Sequence, residues 1–186
     1  QIVDYLHGNA CFGLDIRISD ETGMLLDTGG GIKKAASFFD SQSPVLIHNV
    51  DIFSNVNLSK FYEEHSENDA TLLVSRRTTR RYLLFDDDMR LAGWTNLDTG
   101  EVKSPYTVVK SGAKKVHRLA FSGIHLFHPS LFPLMQAFPE RFGIIDFYLQ
   151  NCHKVKIKGC IKDDLQLIDV GKLDTLDKAE KFLINT

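Results

Sequence analysis

Between residues 14 and 77, short apolar or alternating runs trade places with segments of helical spacing, and that rhythm constrains the fold more than any other feature. LDIRIS (14–19) alternates apolar and polar residues and predicts a strand. GGIKKAASFF then sets Ile32, Ala35, Ala36 and Phe39 at helical spacing. PVLIHNVD (44–51) is a short apolar run ending in an acid, as expected of a strand buried on both faces of a parallel sheet. LSKFYEEH (58–65) predicts a helix and ATLLVSRR (70–77) another strand. Strands alternating with helices imply an α/β sheet built from right-handed crossovers.

The middle of the chain breaks the rhythm. RYLLFDDDMRLAGWTNLDTGEVKSP (81–105) predicts short strands joined by turns at Asp86–Asp88 and DTGE, a small antiparallel excursion from the main sheet. KKVHRLAFSGIHLFH (114–128) predicts a longer strand interrupted at Gly123. PSLFPLMQAF (129–138) and GIIDFYLQNCH (143–153) predict helices, KVKIKGCI (154–161) and LQLIDV (165–170) strands, and LDTLDKAEKFLIN (173–185) a closing helix. No repeat or low-complexity linker divides the chain, so residues 1–186 are expected to form a single domain. QIVDYLHG opens the sequence like the tail of a helix, with no initiator Met, and predicts a fragment that lacks something before Gln1.

Composition removes several classes of function. With 43% hydrophobic and 25% charged residues, and a formal net charge of −2, the chain carries no basic excess that would advertise nucleic acid or a membrane surface. The basic pairs in SRRTTRR (75–81) suit the solvated face of a hairpin better than a nucleic-acid groove. No apolar run approaches the ~20 residues of a membrane span. Three cysteines, Cys11, Cys152 and Cys160, lack metal-type spacing and suggest reduced thiols in a cytoplasmic protein. The seven histidines form no HxxxH pair, so no zinc is expected.

Four places could carry chemistry. In LLDTGGGIKK the residues Thr28, Gly29 and Gly30 stand between a predicted strand and a helix, where backbone N–H groups can approach a phosphate or a base. The alternative is a turn in which Thr28 caps the helix. Asp51 ends an apolar strand, the place where α/β sheets bind ligands, and could hold Mg²⁺ or serve as a turn residue. Asp169 repeats the pattern of apolar strand, acid and glycine. Two bare carboxylates side by side repel, so a divalent cation between them makes physical sense. Gly123 inside a strand marks either a plain bulge or the close approach of a ligand.

Taken in order, LLDTGGGIKKA, VLIHNVDIF, RLAGW, FSGIHLFHPSLF and LIDVGKLDTLDKAEKF resemble the sugar-phosphate nucleotidyltransferases. The likeness is to the bacterial group of N-acetylmuramate-1-phosphate uridylyltransferases and mannose-1-phosphate guanylyltransferases, from about Asp4 to Leu183. The resemblance implies a Rossmann-like, mostly parallel sheet of the nucleotide-diphospho-sugar transferase type, flanked by helices. It also implies a cytoplasmic enzyme, often a small oligomer, that moves a nucleoside monophosphate from an NTP to a sugar 1-phosphate with Mg²⁺ and releases pyrophosphate. A hexose 1-phosphate is the acceptor it suggests, and neither nucleic acid nor a membrane is implied as a partner.

Carried over residue by residue, Thr28, Gly29 and Gly30 resemble the loop at the nucleotide base. Asp51 and Asp169 resemble the two metal aspartates, and Asn49 and Gly123 resemble residues at the sugar. HNVD stands where the family has N-G-D, and DVGKLD where it has D-I-G-T-P-E, so Val50 and Lys172 depart from the pattern. The family's G-x-G-T-R loop and its P-K motif occur nowhere in the sequence. That departure leaves two expectations: an enzyme whose triphosphate loop lies upstream, with this chain an inactive fragment of it, or a non-catalytic module that binds a nucleotide or sugar.

Overall fold

A computed structural model describes residues 1–40 and 42–171. The helices are α1 (Ile2–Gly8), α2 (Asp27–Lys34), α3 (Leu58–His65), α4 (Thr107–Lys110), α5 (Phe132–Met135) and α6 (Ile144–Asn151). The strands are β1 (Val45–His48), β2 (Ile52–Ser54), β3 (Ala70–Ser75), β4 (Arg81–Phe85), β5 (Leu91–Asn96), β6 (Val102–Lys103), β7 (His117–Phe127), β8 (Ile157–Ile161) and β9 (Leu167–Asp169). The predicted closing helix and Lys172 lie outside the described residues.

β7 is the spine of the sheet. It pairs along one edge with β3, and along the other with β4 at its start and β1 at its end. All three partners run against it, so β1, β3 and β4 point the same way, and β8 joins β3 in parallel. The α/β reading therefore holds, but among the described residues parallel pairing in the main sheet is confined to β3 and β8. The reason is the insertion of one long reversed strand between strands that would otherwise be parallel neighbours. β1 also differs from expectation: it is only half-buried, because β7 is its one described partner. The predicted strand at 14–19 does not form: those residues belong to no described helix or strand. β4, β5 and β6 form the expected antiparallel excursion.

Alternation of side chains sorts the sheet into two faces. On one face Leu72, Val74, Leu83, Phe85, Leu91 and Leu119 pack under α6, which buries Phe147 and Tyr148. On the other, Leu73, Ile124 and Leu126 pack against Phe61 of α3, while Leu84 and Ala92 pack against Val109 of α4. α3 starts where the sequence dictates: the Asn57 side chain accepts the Lys60 N–H at 2.9 Å. No helix among the described residues is long and apolar enough to cross a membrane.

Candidate functional site

The two strand-end acids meet. β2 begins directly after Asp51 and pairs antiparallel with β9, setting Ile52 opposite Asp169. Val170 N–H donates to the Asp51 carbonyl at 2.8 Å, and Gly171 N–H donates to Asp169 Oδ1 at 2.9 Å. A Cβ added to Gly171 would lie 3.1 Å from Asp169 Oδ1 and 3.3 Å from Asp51 Oδ2. Both carboxylates thus border one small space beside the Gly171 backbone, and neither has a basic partner among the described residues. Two oxygen donors of like charge facing one point fit a hard divalent cation, since Mg²⁺ is commonly held by one or two carboxylates and completed by waters and substrate phosphates. No group of three or more His, Cys, Asp or Glu gathers among the described residues.

Asn49 and Gly123 also meet. Asn49 N–H donates to the Gly123 carbonyl at 3.1 Å. Gly123 has φ +78° and sits where the β3–β7 register slips between Leu72 and Val74, so the interruption is a bulge. A Cβ there would stand 2.9 Å from Asn49 Nδ2. Backbone conformation and the neighbouring amide both demand glycine, with or without a ligand.

The glycine run is where expectation and structure part. Asp27–Lys34 is a helix, not a loop, and Gly29 and Gly30 are buried in it. Both of their N–H groups donate to the Phe142 carbonyl, at 2.9 and 3.1 Å. A Cβ on Gly29 would collide with the Phe142 ring and carbonyl, and one on Gly30 with the Glu140 carbonyl. The two glycines let α2 lie flush on residues 140–144, and their amides are already used. Thr28 Oγ1 accepts the Ile144 N–H at 3.1 Å at the start of α6, and Asp27 receives Arg141 Nε at 2.9 Å. Thr28 and Asn49 nevertheless line one open cavity of about 450 Å³, with Glu21, Gly31, Ile32 and His125 also in its wall. Asp51 and Asp169 are not among its lining residues; Asn49 links them to it, two residues from Asp51.

No family model matches the chain. Its sequence is 29% identical over 176 residues to a D-glycero-alpha-D-manno-heptose 1-phosphate guanylyltransferase of Campylobacter jejuni, spanning 93% of this chain and 68% of that protein. HddC from Yersinia pseudotuberculosis, whose structure is also known complexed with GMP-PN, superposes with a TM-score of 0.69 at 19% identity over 97% of this chain and 73% of its own. A putative glucose-1-phosphate thymidylyltransferase from Bacillus anthracis, in complex with a sucrose, gives 0.69 at 15% identity over 97% and 70%. The chain is thus similar in sequence to a sugar-phosphate nucleotidyltransferase and shares the fold of another.

Sequence reasoning missed His125 and Tyr148. His125 is 2% exposed, yet borders the cavity, with its Nδ1 2.6 Å from the Tyr148 hydroxyl. Burial pushes the imidazole pKa down to about 3 and the phenol well above its usual value, so both are neutral at pH 7. The available signal was GIHLFH, in which His125 stands two residues beyond the bulge glycine. Arg77, Arg81, Trp94 and Lys103 line a second opening of about 380 Å³ on the same face, with Lys103 Nζ 5.2 Å above the Trp94 ring.

Proposed function

We propose that this chain is the part of a sugar-phosphate nucleotidyltransferase that carries the metal acids and the sugar pocket, transferring NMP from an NTP to a sugar 1-phosphate with release of pyrophosphate. The observation that carries the reading is the convergence of Asp51 and Asp169 beside Gly171. The C. jejuni relative favours a heptose or related hexose 1-phosphate and GTP as first substrates to try.

Asp51 and Asp169 would hold Mg²⁺, which when bound neutralises phosphate charge. The chain's own part is positioning. Asn49 and the Gly123 backbone face the sugar. Thr28, whose O–H has no acceptor among the described residues, faces the nucleotide from the wall it shares with Gly31. Gly29 and Gly30 act indirectly, by fixing α2. The acceptor phosphate is already ionised, so in-line attack by its oxygen needs no general base, and neutral His125 is not asked to provide one.

The test is pyrophosphate release from GTP, and then from other NTPs, with hexose and heptose 1-phosphates and Mg²⁺. A protein that carries the triphosphate loop together with this chain should release pyrophosphate, and its Asp51→Asn variant should lose turnover by at least about a hundredfold, the loss expected when charge stabilisation aimed at the transition state is removed. Its melting temperature should change little. Nucleotide binding without pyrophosphate release would instead assign a non-catalytic binding module. An Asp51→Asn protein that fails to fold, with activity per folded molecule intact, would remove Asp51 from the site.

A further inference from the structure

We propose that the cavity on the α4 side of the sheet is a second anion site, built for a ligand carrying two linked phosphates. It lies on the face opposite α6, floored by Leu84 and Val109. Thr28, Asn49 and His125 line the other cavity, on the α6 face, and none of them borders this one. Its volume is about 590 Å³, within the range of small-molecule sites.

Six basic side chains line it: Arg76, Lys110, Lys114, Lys115, His117 and Arg118. No acidic residue lines it, although the whole chain has a net charge of −2. Local chain geometry brings these groups together. Gly112, at φ +72°, ends α4 in the left-handed conformation a C-terminal cap requires, and Lys114 N–H returns to the Val108 carbonyl at 3.0 Å. That turn folds Lys114 and Lys115 back beside Lys110, and β7 then presents Arg118 from the sheet.

Three of the six groups already have carboxylate partners: Arg76 with Asp163, Lys114 with Asp86 and His117 with Asp87. Lys110, Lys115 and Arg118 have none among the described residues. Like charges held in one concavity raise each other's energy, and an anion seated among them relieves it. The Leu84 and Val109 floor excludes water from one side and strengthens that attraction. Three unpartnered cations on a helix end, a turn and a strand surround more space than one phosphate fills, which favours a pyrophosphate group, free or carried by a nucleoside.

The experiment is calorimetric titration with inorganic pyrophosphate in EDTA, which removes any metal-dependent binding at Asp51 and Asp169. Three proteins are compared: wild type, Asp51→Asn/Asp169→Asn and Lys115→Gln/Arg118→Gln. Wild type and the acid variant should bind alike. The basic variant should bind at least about tenfold more weakly, since a tenfold loss needs only the free energy of one modest charge-assisted contact. Bound pyrophosphate should also shield Lys110 and Lys115 from an amine-acetylating reagent. Tighter binding of GDP than pyrophosphate, still sensitive to Lys115→Gln/Arg118→Gln, assigns a nucleotide, and equal binding assigns the phosphates alone. Absence of binding, or binding lost in the acid variant and unchanged in the basic one, overturns the proposal. Because the titration excludes metal and reads no turnover, its failure is separate from any failure of the transferase reading.

Discussion

Gly30→Ala tests whether the glycine run is there for packing. The added methyl would press on the Glu140 carbonyl and stand 2.9 Å from Leu26 Cβ, two groups held by the backbone and unable to swing away. Overpacking of this kind costs about 1–3 kcal/mol. Shifting α2 to relieve it would also weaken the Gly29 and Gly30 N–H bonds to Phe142, at about 1 kcal/mol each. Alanine recovers about 1 kcal/mol through its better helix propensity. The balance is a loss of about 2–4 kcal/mol, at about 2–4 °C in melting temperature per kcal/mol for a chain of this size. Gly31→Ala is the control. Its methyl would meet only the end of the Glu21 side chain, at 2.7 Å, which can move, so stability should stay within about 1 kcal/mol of wild type. Urea unfolding, read at unchanged m, measures both variants. If Gly30→Ala is as stable as wild type while nucleotide binding falls, the glycines serve a ligand directly and the packing argument is refuted.

Other expectations follow from the same structure. His125 has a folded pKa of about 3, below its unfolded value of about 6.5, so its contribution to stability is complete above pH 6.5 and lost as pH falls toward 3. Between pH 6 and 5 wild type should lose about 1 kcal/mol from this residue, and His125→Gln should flatten that part of the pH–stability curve. Gly123→Ala should destabilise through its positive φ and the Asn49 amide, and Asn49→Ala should partly rescue it; no rescue would mean that Asn49 is not the obstacle. Cys152, with burial holding its pKa at about 11, should react with a thiol reagent after Cys11 and Cys160, as mass spectrometry of the labelled chain would show.

The sequence by itself determined the local elements and the chemical candidates. Residues 58–65 follow their own N-cap, Asn57, and hold one buried aromatic, 70–75 centre on the apolar run Leu72–Val74, and the strand interrupted at Gly123 shows its bulge in a single letter. The aspartates were visible because an acid closing a short, largely apolar run must leave the core. Only the tertiary structure decided what those elements meet. That β7 runs reversed between β1 and β3 rests on contacts between residues some fifty to eighty positions apart, which no periodicity encodes. The same holds for Asp51 and Asp169, joined by a ladder of three residue pairs. TGGG looked like a ligand loop because glycine permits any close approach, and a sequence does not say to what. Here what approaches is the Glu140–Phe142 backbone, and the amides that could have met a phosphate are satisfied by a carbonyl more than a hundred residues away.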